Sequence, residues 1–298
     1  MGKAKYILGP TRPRFLFLNP VCVAVGVSTA ALVTGRLNIF HVFLALAGAV
    51  AAHISVNVFN EYTDYKSGLD ERTTRTPFSG GTGTLPAHPE VANAALIAGL
   101  VAFALTGLIG IYFAFLRGFA IVPLGLLGLV VIAAYTPFIT RHPAICLIAP
   151  GLGFGVLMVM GTHFVLTGGY SFPSFVASLV PFFLVSNLLL INQFPDVEAD
   201  KTVGRRTPPI IWGLHYAAVI YTTFLILAYV TIIAAAAAGI LPALSLLGLA
   251  TIPLAIPVAR STFLYAKDVE KLKPYLGMNV IVVLVTPFLM AVGIFIGR

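Results

Sequence analysis

The chain alternates long apolar stretches with short polar segments from about residue 15 to its last residues. A helix needs about 20 apolar residues to cross the hydrocarbon core of a membrane. With that window, the pattern predicts nine transmembrane helices, at residues 15–34, 38–61, 91–115, 118–138, 143–166, 173–194, 214–238, 240–259 and 276–297. Gly and Pro recur inside these stretches, as membrane helices tolerate. We therefore predict an all-α integral membrane protein that forms one domain over residues 1–298.

Composition agrees with a lipid environment. Of the 298 residues, 59% are hydrophobic and only 9% are charged, whereas about a quarter of the residues in a soluble domain are charged. The net charge of +8 could suggest nucleic acid, but no Lys/Arg run or basic helix is present, so we expect no nucleic-acid partner. Cys22 and Cys146 lie far apart in apolar runs and indicate neither a disulfide framework nor a metal site.

The charged residues divide unequally between the two sides of the predicted bundle. With a cytoplasmic N-terminus, all of the 18 Lys and Arg residues except Arg36, Arg117 and Arg298 fall on the cytoplasmic side. This positive-inside bias predicts a multi-pass protein of the cell membrane, with its N-terminus inside and its C-terminus outside. All 10 Asp and Glu residues fall on that same side. Acids contribute little to topology, so their grouping predicts chemistry or ion binding near the cytoplasmic face.

A first acidic motif, at residues 57–70, spans the end of the second predicted helix. Four polar residues spaced 4, 3 and 4 apart share one stripe of that helix: His53, Asn57, Asn60 and Asp64. Lipid cannot satisfy such a stripe, so we expect it to face a cavity or a partner helix. A glycine after the helix permits a break, so that Asp70 can fold back towards Asp64. For His53 a functional and a packed role are equally open, whereas we expect His163 to be packed.

A second acidic motif, at residues 192–200, follows the sixth predicted helix and places Asn192, Asp196 and Asp200 four residues apart on one face. Both motifs lie at helix C-termini, where the macrodipole disfavours each carboxylate by about 0.3–1 kcal/mol. A bound cation would offset this penalty and the mutual repulsion of the acids. Carboxylate and amide oxygens suit Mg²⁺ or Mn²⁺. Helices 1–5 thus carry the first motif, and helices 6–9 carry the second.

Two other interpretations remain open from the residues alone. Each acid by itself could be an ordinary interfacial acid paired with a nearby Lys or Arg. The chain could also be a cation-coupled membrane transporter. Transporters place ionisable residues near the bilayer midplane, whereas here the acids cluster at one interface, which favours an enzyme.

Taken in order, the motifs resemble those of the UbiA superfamily of intramembrane prenyltransferases. The resemblance covers nearly the whole chain. It is carried by Arg12-Pro13 before the first helix, Asn60-x₃-Asp64-x₅-Asp70, Tyr135-Thr136-Pro137 followed by Arg141, and Asn192-x₃-Asp196-x₃-Asp200 followed by Gly204-Arg205-Arg206-Thr207.

The resemblance implies nine helices around a central cavity, with membrane lipid outside and a polyprenyl diphosphate, such as geranylgeranyl diphosphate, inside. It implies two Mg²⁺ ions, or Mn²⁺, held by Asn60, Asp64, Asp70, Asn192, Asp196 and Asp200. Binding of the diphosphate is assigned to the two asparagines of that set and to Arg12, Asn57, Lys66, Arg72, Arg141 and Lys201. The resemblance further implies that the four aspartates, through the ions they hold, help to ionise the substrate, and that Tyr135 and Tyr62 are candidates to shield the allylic cation by cation–π contact.

The acceptor is either aromatic or lipid. The five-residue spacing between Asp64 and Asp70 resembles the menaquinone-type branch, whose acceptor is dihydroxynaphthoate. Hydroxybenzoate and archaeal ether-lipid (geranylgeranylglyceryl phosphate) prenyltransferases usually place three residues there and then carry Arg-Pro-x-x-Ser-Gly. The corresponding segment here, Arg75-Thr76-Pro77-Phe78-Ser79-Gly80-Gly81, departs from that pattern without excluding those acceptors.

Overall fold

The computed structural model describes residues 2–73 and 75–298, and this part of the chain contains helices and no strands. The helices that shape the molecule are, in chain order, α1 (Pro13–Thr34), α2 (Ile39–Ser67), α3 (Pro89–Arg117), α4 (Phe119–Ala134), α5 (Pro143–Thr167), α6 (Phe172–Asn192), α7 (Leu214–Ala237), α8 (Ala243–Leu264) and α9 (Val269–Ile296). Short helices between or before them include Gly2–Leu8, Thr84–Ala87, Val197–Thr202 and Pro208–Ile211. The all-α prediction is confirmed for the described residues.

In the described part of the chain, eight helices are long and apolar enough to cross a membrane, and α4 is shorter. The chain is therefore a multi-pass membrane protein. A 3-residue 3₁₀ turn and a 13-residue α-helix make up α4. At 1.5 Å per residue it is about 24 Å long, less than the roughly 30 Å of a hydrocarbon core. A helix thus lies where the fourth span was predicted, while the count of nine crossings stays a prediction.

Two helices extend beyond the apolar stretches that predicted them. The second helix continues to Ser67, because Gly68 at φ 71° then ends it and donates its N–H to the last turn. Asp64 is therefore part of α2. The ninth helix begins at Val269, and the side chain of Asp268 caps it by accepting from the backbone N–H of Lys271 at 3.2 Å. Hydropathy predicts only the part of a helix that lies in the hydrocarbon core. These two helices continue beyond that part into the polar region at the membrane surface.

The tightest packing surrounds α6, which contacts α1, α5, α7 and α9. The side-chain amide of Asn187 on α6 donates to the carbonyl of Tyr221 on α7 at 2.8 Å. The hydroxyl of Tyr221 donates to Asn279 on α9 at 2.7 Å. Polar groups inside a membrane bundle need partners within the protein, so these bonds fix three helices in one register. This half of the bundle forms a rigid support.

A π-helical segment, Leu152–Leu157, interrupts α5 where it faces α6. Gly151 and Gly155 bring the two helices together, since a Cβ on either would lie only 2.1 Å or 2.4 Å from the backbone of Phe182. Such segments are frequent at functional sites. Here the segment contains Phe154, which lines a cavity. The opposite side of the bundle is more open, because no residue of the α-helical part of α4 is buried.

The number of crossings decides where the two termini lie. Nine crossings put them on opposite sides of the membrane, and eight put them on the same side. We expect opposite sides, because the loop charges favour that arrangement. The measurement is labelling of Lys5→Cys and of Arg298→Cys by a membrane-impermeant maleimide in sealed, oriented vesicles, with Cys22 and Cys146 replaced by Ala. Only one of the two new cysteines should react before the vesicles are permeabilised; equal labelling of both would contradict nine crossings.

Candidate active site

A cavity of about 710 Å³ lies between α1, α2, α3, α4, α5 and α6. Its lining residues follow α4 from Phe119 to Tyr135, which corresponds to about 24 Å of helix. One end is polar and is lined by Arg12, Arg14, Asn57, Asn60, Asp64, Asp70, Asn192, Gln193, Asp196, Asp200 and Arg205. A hydrogen bond of 3.2 Å from Asn60 to Thr136 places this end beside Tyr135. The cavity thus joins a charged end to a long apolar tunnel.

Arg205 connects the two acidic motifs. Its Nη1 donates to Asp200 Oδ1 at 2.8 Å, and its Nη2 donates to Asp64 Oδ1 in a shorter contact. One guanidinium binds both carboxylates, so the end of α2 and the segment after α6 lie within two hydrogen bonds of each other. Burial alone would lower the pKa of Arg205, but the two carboxylates outweigh burial and raise that pKa, so the group stays charged.

Four buried oxygen atoms at the polar end have no hydrogen-bond partner in the described structure: Asp70 Oδ2, Asn192 Oδ1, Gln193 Oε1 and Asp196 Oδ1. Burial, reinforced by Glu61 and Asp64, raises the pKa of Asp70 to about 7. Burial, reinforced by Asp200, raises the pKa of Asp196 to about 7 as well. Because Arg205 is shared by the other two aspartates, these two carboxyl groups lack a full counter-charge.

These oxygens fit a divalent cation. Carboxylate and amide oxygens are hard ligands of the kind Mg²⁺ and Mn²⁺ prefer. Within residues 2–73 and 75–298, no three His, Cys, Asp or Glu side chains gather closely enough to enclose an ion by themselves. Mg²⁺ commonly takes one or two carboxylates and completes its shell with water and substrate phosphate. The donor set therefore suits an ion that is shared with a bound diphosphate.

A short segment, Ser79–Gly81, touches one aspartate of each motif. Hydrogen bonds from the Ser79 hydroxyl and the Gly80 backbone act on Asp196 and partly oppose the effect of burial on its pKa. A Cβ on Gly81, whose φ is +71°, would lie 2.8 Å from Asp70 Oδ1. The glycine thus permits a backbone conformation and a close approach that other residues would not. The segment therefore lines the polar end beside both motifs.

Arg12 is held by α2. Its Nε donates to Glu61 Oε1 at 2.7 Å, and its Nη2 donates to Asn60 Oδ1 at 3.0 Å. The fully buried carboxylate of Glu61 also accepts from the backbone N–H of Thr82 at 2.9 Å. Asn57 donates to the carbonyl of Thr11 at 3.0 Å. These contacts tie the segment before α1 and the glycine-rich segment to α2, so much of the binding capacity of Arg12 and Asn60 is already used.

Four predicted diphosphate ligands do not line the cavity: Lys66, Arg72, Arg141 and Lys201. All four are exposed. Lys66 lies over the rings of Tyr62 and Tyr65, at 5.5 Å and 5.7 Å from their centroids. Lys201 pairs with Glu198 at 2.7 Å. The structure therefore does not bring these four residues to the polar end, and their assignment as diphosphate ligands stays a prediction.

Three charged residues of the site were not assigned from the sequence. Arg205 is four residues after Lys201, and the sequence alone did not show which of these two residues binds the aspartates. Arg14 lines the cavity and makes no ion pair within the described residues. Glu61 had no role predicted from the sequence and is buried. The position of Glu61, one residue after Asn60 on a helix that continues past its apolar stretch, was the signal that could have identified it as part of the site. Tyr135, as predicted, lines the polar end.

Comparison with known proteins identifies the class of protein. The model of the UbiA prenyltransferase family matches residues 19–283, and the chain belongs to this family. The resemblance inferred from the motifs is thereby confirmed. Family membership favours a prenyltransferase over the transporter alternative.

The relatives fall in two branches. The 1,4-dihydroxy-2-naphthoate octaprenyltransferase of Bacillus subtilis is 26% identical over 232 residues, which cover 75% of this chain and 71% of the relative. The digeranylgeranylglyceryl phosphate synthase of Methanothermobacter thermautotrophicus is 27% identical over 217 residues, which cover 72% of this chain and 70% of that one. The structure of a UbiA homolog from Archaeoglobus fulgidus bound to DMAPP and Mg²⁺ superimposes with a TM-score of 0.62 at 14% identity, covering 98% of this chain and 99% of the homolog. At 14% identity, the structural similarity to the A. fulgidus homolog shows a shared fold.

A methyl group on Gly81 should disturb the predicted metal ligands. In Gly81→Ala the new Cβ would meet Asp70 Oδ1, and displacing a supporting contact weakens metal binding by on the order of tenfold or more. Calorimetric titration of Mg²⁺ with inorganic diphosphate into purified protein measures the effect.

The matched control for Gly81→Ala is Gly168→Ala. Gly168 has φ +86° and nothing within 4 Å of the Cβ position, so this variant has comparable backbone strain and no clash. Equal Mg²⁺ affinity in the two variants would separate Gly81 from the metal site.

Proposed function

We propose that this protein transfers a prenyl group from a polyprenyl diphosphate to an aromatic acceptor within the membrane. One observation carries the proposal: the two acidic motifs converge on Arg205 at the charged end of a long apolar cavity. A charged end suits a diphosphate, and an apolar tunnel suits its prenyl chain. The A. fulgidus homolog bound to DMAPP and Mg²⁺ supports the same substrate class.

The residues that would hold Mg²⁺ are those whose oxygens have no partner, Asp70, Asn192 and Asp196, together with Asp64 and Asp200. Bound Mg²⁺ supplies positive charge that neutralises the diphosphate as it leaves. The protein adds positive charge of its own at that end, through Arg205 and Arg14. Arg12 holds Asn60 and Glu61 in place. The orienting groups are therefore fixed before the substrate binds, which is the condition for electrostatic stabilisation of a transition state.

The apolar tunnel protects the reacting carbon. When the bond to the diphosphate breaks, the electron pair leaves with the diphosphate and an allylic cation remains. Water would hydrolyse this cation, and a water-poor cavity prevents that side reaction. Tyr135 lines the cavity at the boundary between its charged and apolar parts. Its ring is placed to stabilise the cation by cation–π contact, after which the electron-rich acceptor attacks and loses a proton.

For the acceptor we favour a hydroxylated aromatic compound of the dihydroxynaphthoate type. The spacing between Asp64 and Asp70 and the B. subtilis relative support it. The M. thermautotrophicus relative, at similar identity, supports a glyceryl phosphate lipid as the second candidate. We place the polar end of the cavity at the cytoplasmic face of the cell membrane, on the strength of the loop charges.

Loss of one predicted metal ligand should abolish most of the turnover. Asp196→Asn removes the charge and keeps the volume, and removing one such electrostatic group reduces turnover by on the order of 10²-fold. Glu198→Gln is the matched control in the same segment, because Glu198 is exposed and, among the described residues, forms an ion pair with Lys201 alone. We expect it to stay within about twofold of the unmodified protein. Mg²⁺-dependent release of diphosphate measures both; full release by Asp196→Asn, or full release in EDTA, would refute the metal assignment.

The acceptor is tested directly. Purified protein in lipid vesicles is incubated with labelled geranylgeranyl diphosphate and, separately, with 1,4-dihydroxy-2-naphthoate, hydroxybenzoate or geranylgeranylglyceryl phosphate. We expect a prenylated naphthoate by mass spectrometry. If the protein transferred the prenyl group to geranylgeranylglyceryl phosphate alone, the acceptor would be a lipid and not an aromatic compound.

A further inference from the structure

The carbonyl of Leu16 fixes the orientation of the Asn19 side chain. Pro20, four residues later, has no N–H to donate to it, and the carbonyl instead accepts the backbone N–H of Asn19 at 3.1 Å. The side-chain nitrogen of Asn19 donates to that carbonyl at 2.9 Å. A carbonyl oxygen only accepts, so the amide group of Asn19 must present its nitrogen there. This carbonyl therefore determines which atom of the amide faces its other neighbour.

That neighbour is His53 on α2. The same nitrogen of Asn19 lies 3.1 Å from His53 Nδ1. Because this nitrogen donates, Nδ1 accepts and carries no proton. The proton of the neutral imidazole is therefore on Nε2. His53 thus has one defined tautomer, with Nε2–H as a hydrogen-bond donor.

The Nε2–H group is available to a ligand. His53 is buried and lines the cavity, and Nε2 makes no hydrogen bond within the described residues. Its ring packs at a 72° angle against Phe154 of the π-helical segment, with the ring centroids 4.6 Å apart. A polar N–H without a partner in an apolar environment is unfavourable, because it has lost its hydrogen bonds to water. The position therefore favours a ligand that brings an oxygen atom to this depth.

The distance of His53 from the polar end of the cavity indicates which kind of ligand oxygen it can bind. Along α2 it lies about 10 Å from Asn60 and about 16 Å from Asp64, at 1.5 Å per residue. Further along, α2 gives the cavity only small apolar groups: Ala45, Gly48, Ala49 and Ala52. The arginines that line the cavity, Arg12, Arg14 and Arg205, belong to its polar end. Arg12 is close enough to act on His53 electrostatically, but its charge is already paired with the buried carboxylate of Glu61. A phosphate beside His53 would therefore find no free counter-charge, whereas an uncharged ring oxygen needs only one donor.

We propose that His53 is an acceptor-binding residue, whose Nε2–H donates to a ring oxygen of a hydroxylated aromatic acceptor lying against Phe154. The inference rests on the proposed function and specifies it, because an aromatic face and one neutral donor suit a phenol or a quinol better than a glyceryl phosphate. Asn19 is the positioning residue that keeps the proton on Nε2.

The test compares three variants in steady-state assays with geranylgeranyl diphosphate and 1,4-dihydroxy-2-naphthoate. His53→Leu removes the donor, and we expect the KM for the naphthoate to rise roughly tenfold, as loss of one such hydrogen bond predicts. The KM for the prenyl diphosphate should stay unchanged. His53→Gln keeps an N–H group, and it should recover most of the naphthoate affinity.

His163→Leu is the matched control. His163 is a buried histidine on α5 whose Nδ1 meets Thr29 Oγ1 at 3.0 Å, and it does not line the cavity. We expect its KM values to match those of the unmodified protein. An equal rise in both His→Leu variants would mean that the effect is structural and would overturn the proposal.

Two further outcomes separate this inference from the proposed function. An unchanged naphthoate KM in His53→Leu, or an equal rise in the KM of the prenyl diphosphate, overturns the role of His53 and leaves prenyl transfer intact. Transfer by the unmodified protein to geranylgeranylglyceryl phosphate alone overturns the aromatic acceptor, and the role of His53 with it.

Discussion

Four aspartate carboxyl groups in one partly buried cavity require positive charge, and this requirement organises the polar end of the molecule. Arg205 supplies one charge to Asp64 and Asp200. Asp70 and Asp196 have no equivalent partner, and burial raises the pKa of each to about 7. Surroundings of low polarity make an unpaired carboxylate costly. The protein thus holds its two motifs together with the guanidinium of Arg205. The remaining oxygens stay available for the proposed metal ion.

The division of the bundle into a tight half and an open half serves the same chemistry. Around α6, the contacts of Gly151 and Gly155 with Phe182 and the bond from Asn187 to Tyr221 leave little freedom. No residue in the α-helical part of α4 is buried, and the tunnel follows that helix. A diphosphate site needs ligands held in fixed positions, whereas a prenyl chain needs only apolar volume. The rigid half carries the second motif, and the open half borders the tunnel.

Sequence periodicity predicted where the helices lie, because apolar length is what the membrane selects. It placed the apolar span of α2 at residues 38–61 and Asp64 on the polar stripe of the same helix, and in the structure α2 continues to Ser67. The acids that line the cavity could also be predicted, from their four-residue spacing. The cationic residues of the site could not be predicted in this way. Lys201 and Arg205 lie close together in the sequence, and the turn after Val197–Thr202 decides which of them faces Asp64. Such a choice depends on contacts between distant segments, which local patterns do not contain.

The segment Ser79–Gly81 lies against both predicted metal-binding motifs, next to the positions where the resemblance led us to expect a difference between branches of the family. It touches Asp196 from the second motif and Asp70 from the first. The branches resembled by this chain differ both in the spacing from Asp64 to Asp70 and in the residues just before this segment. A change in that spacing moves Asp70, and the glycine that packs on it must move too, because there is no room for a Cβ between them. The position of Asp70 and the position of Gly81 are therefore physically coupled.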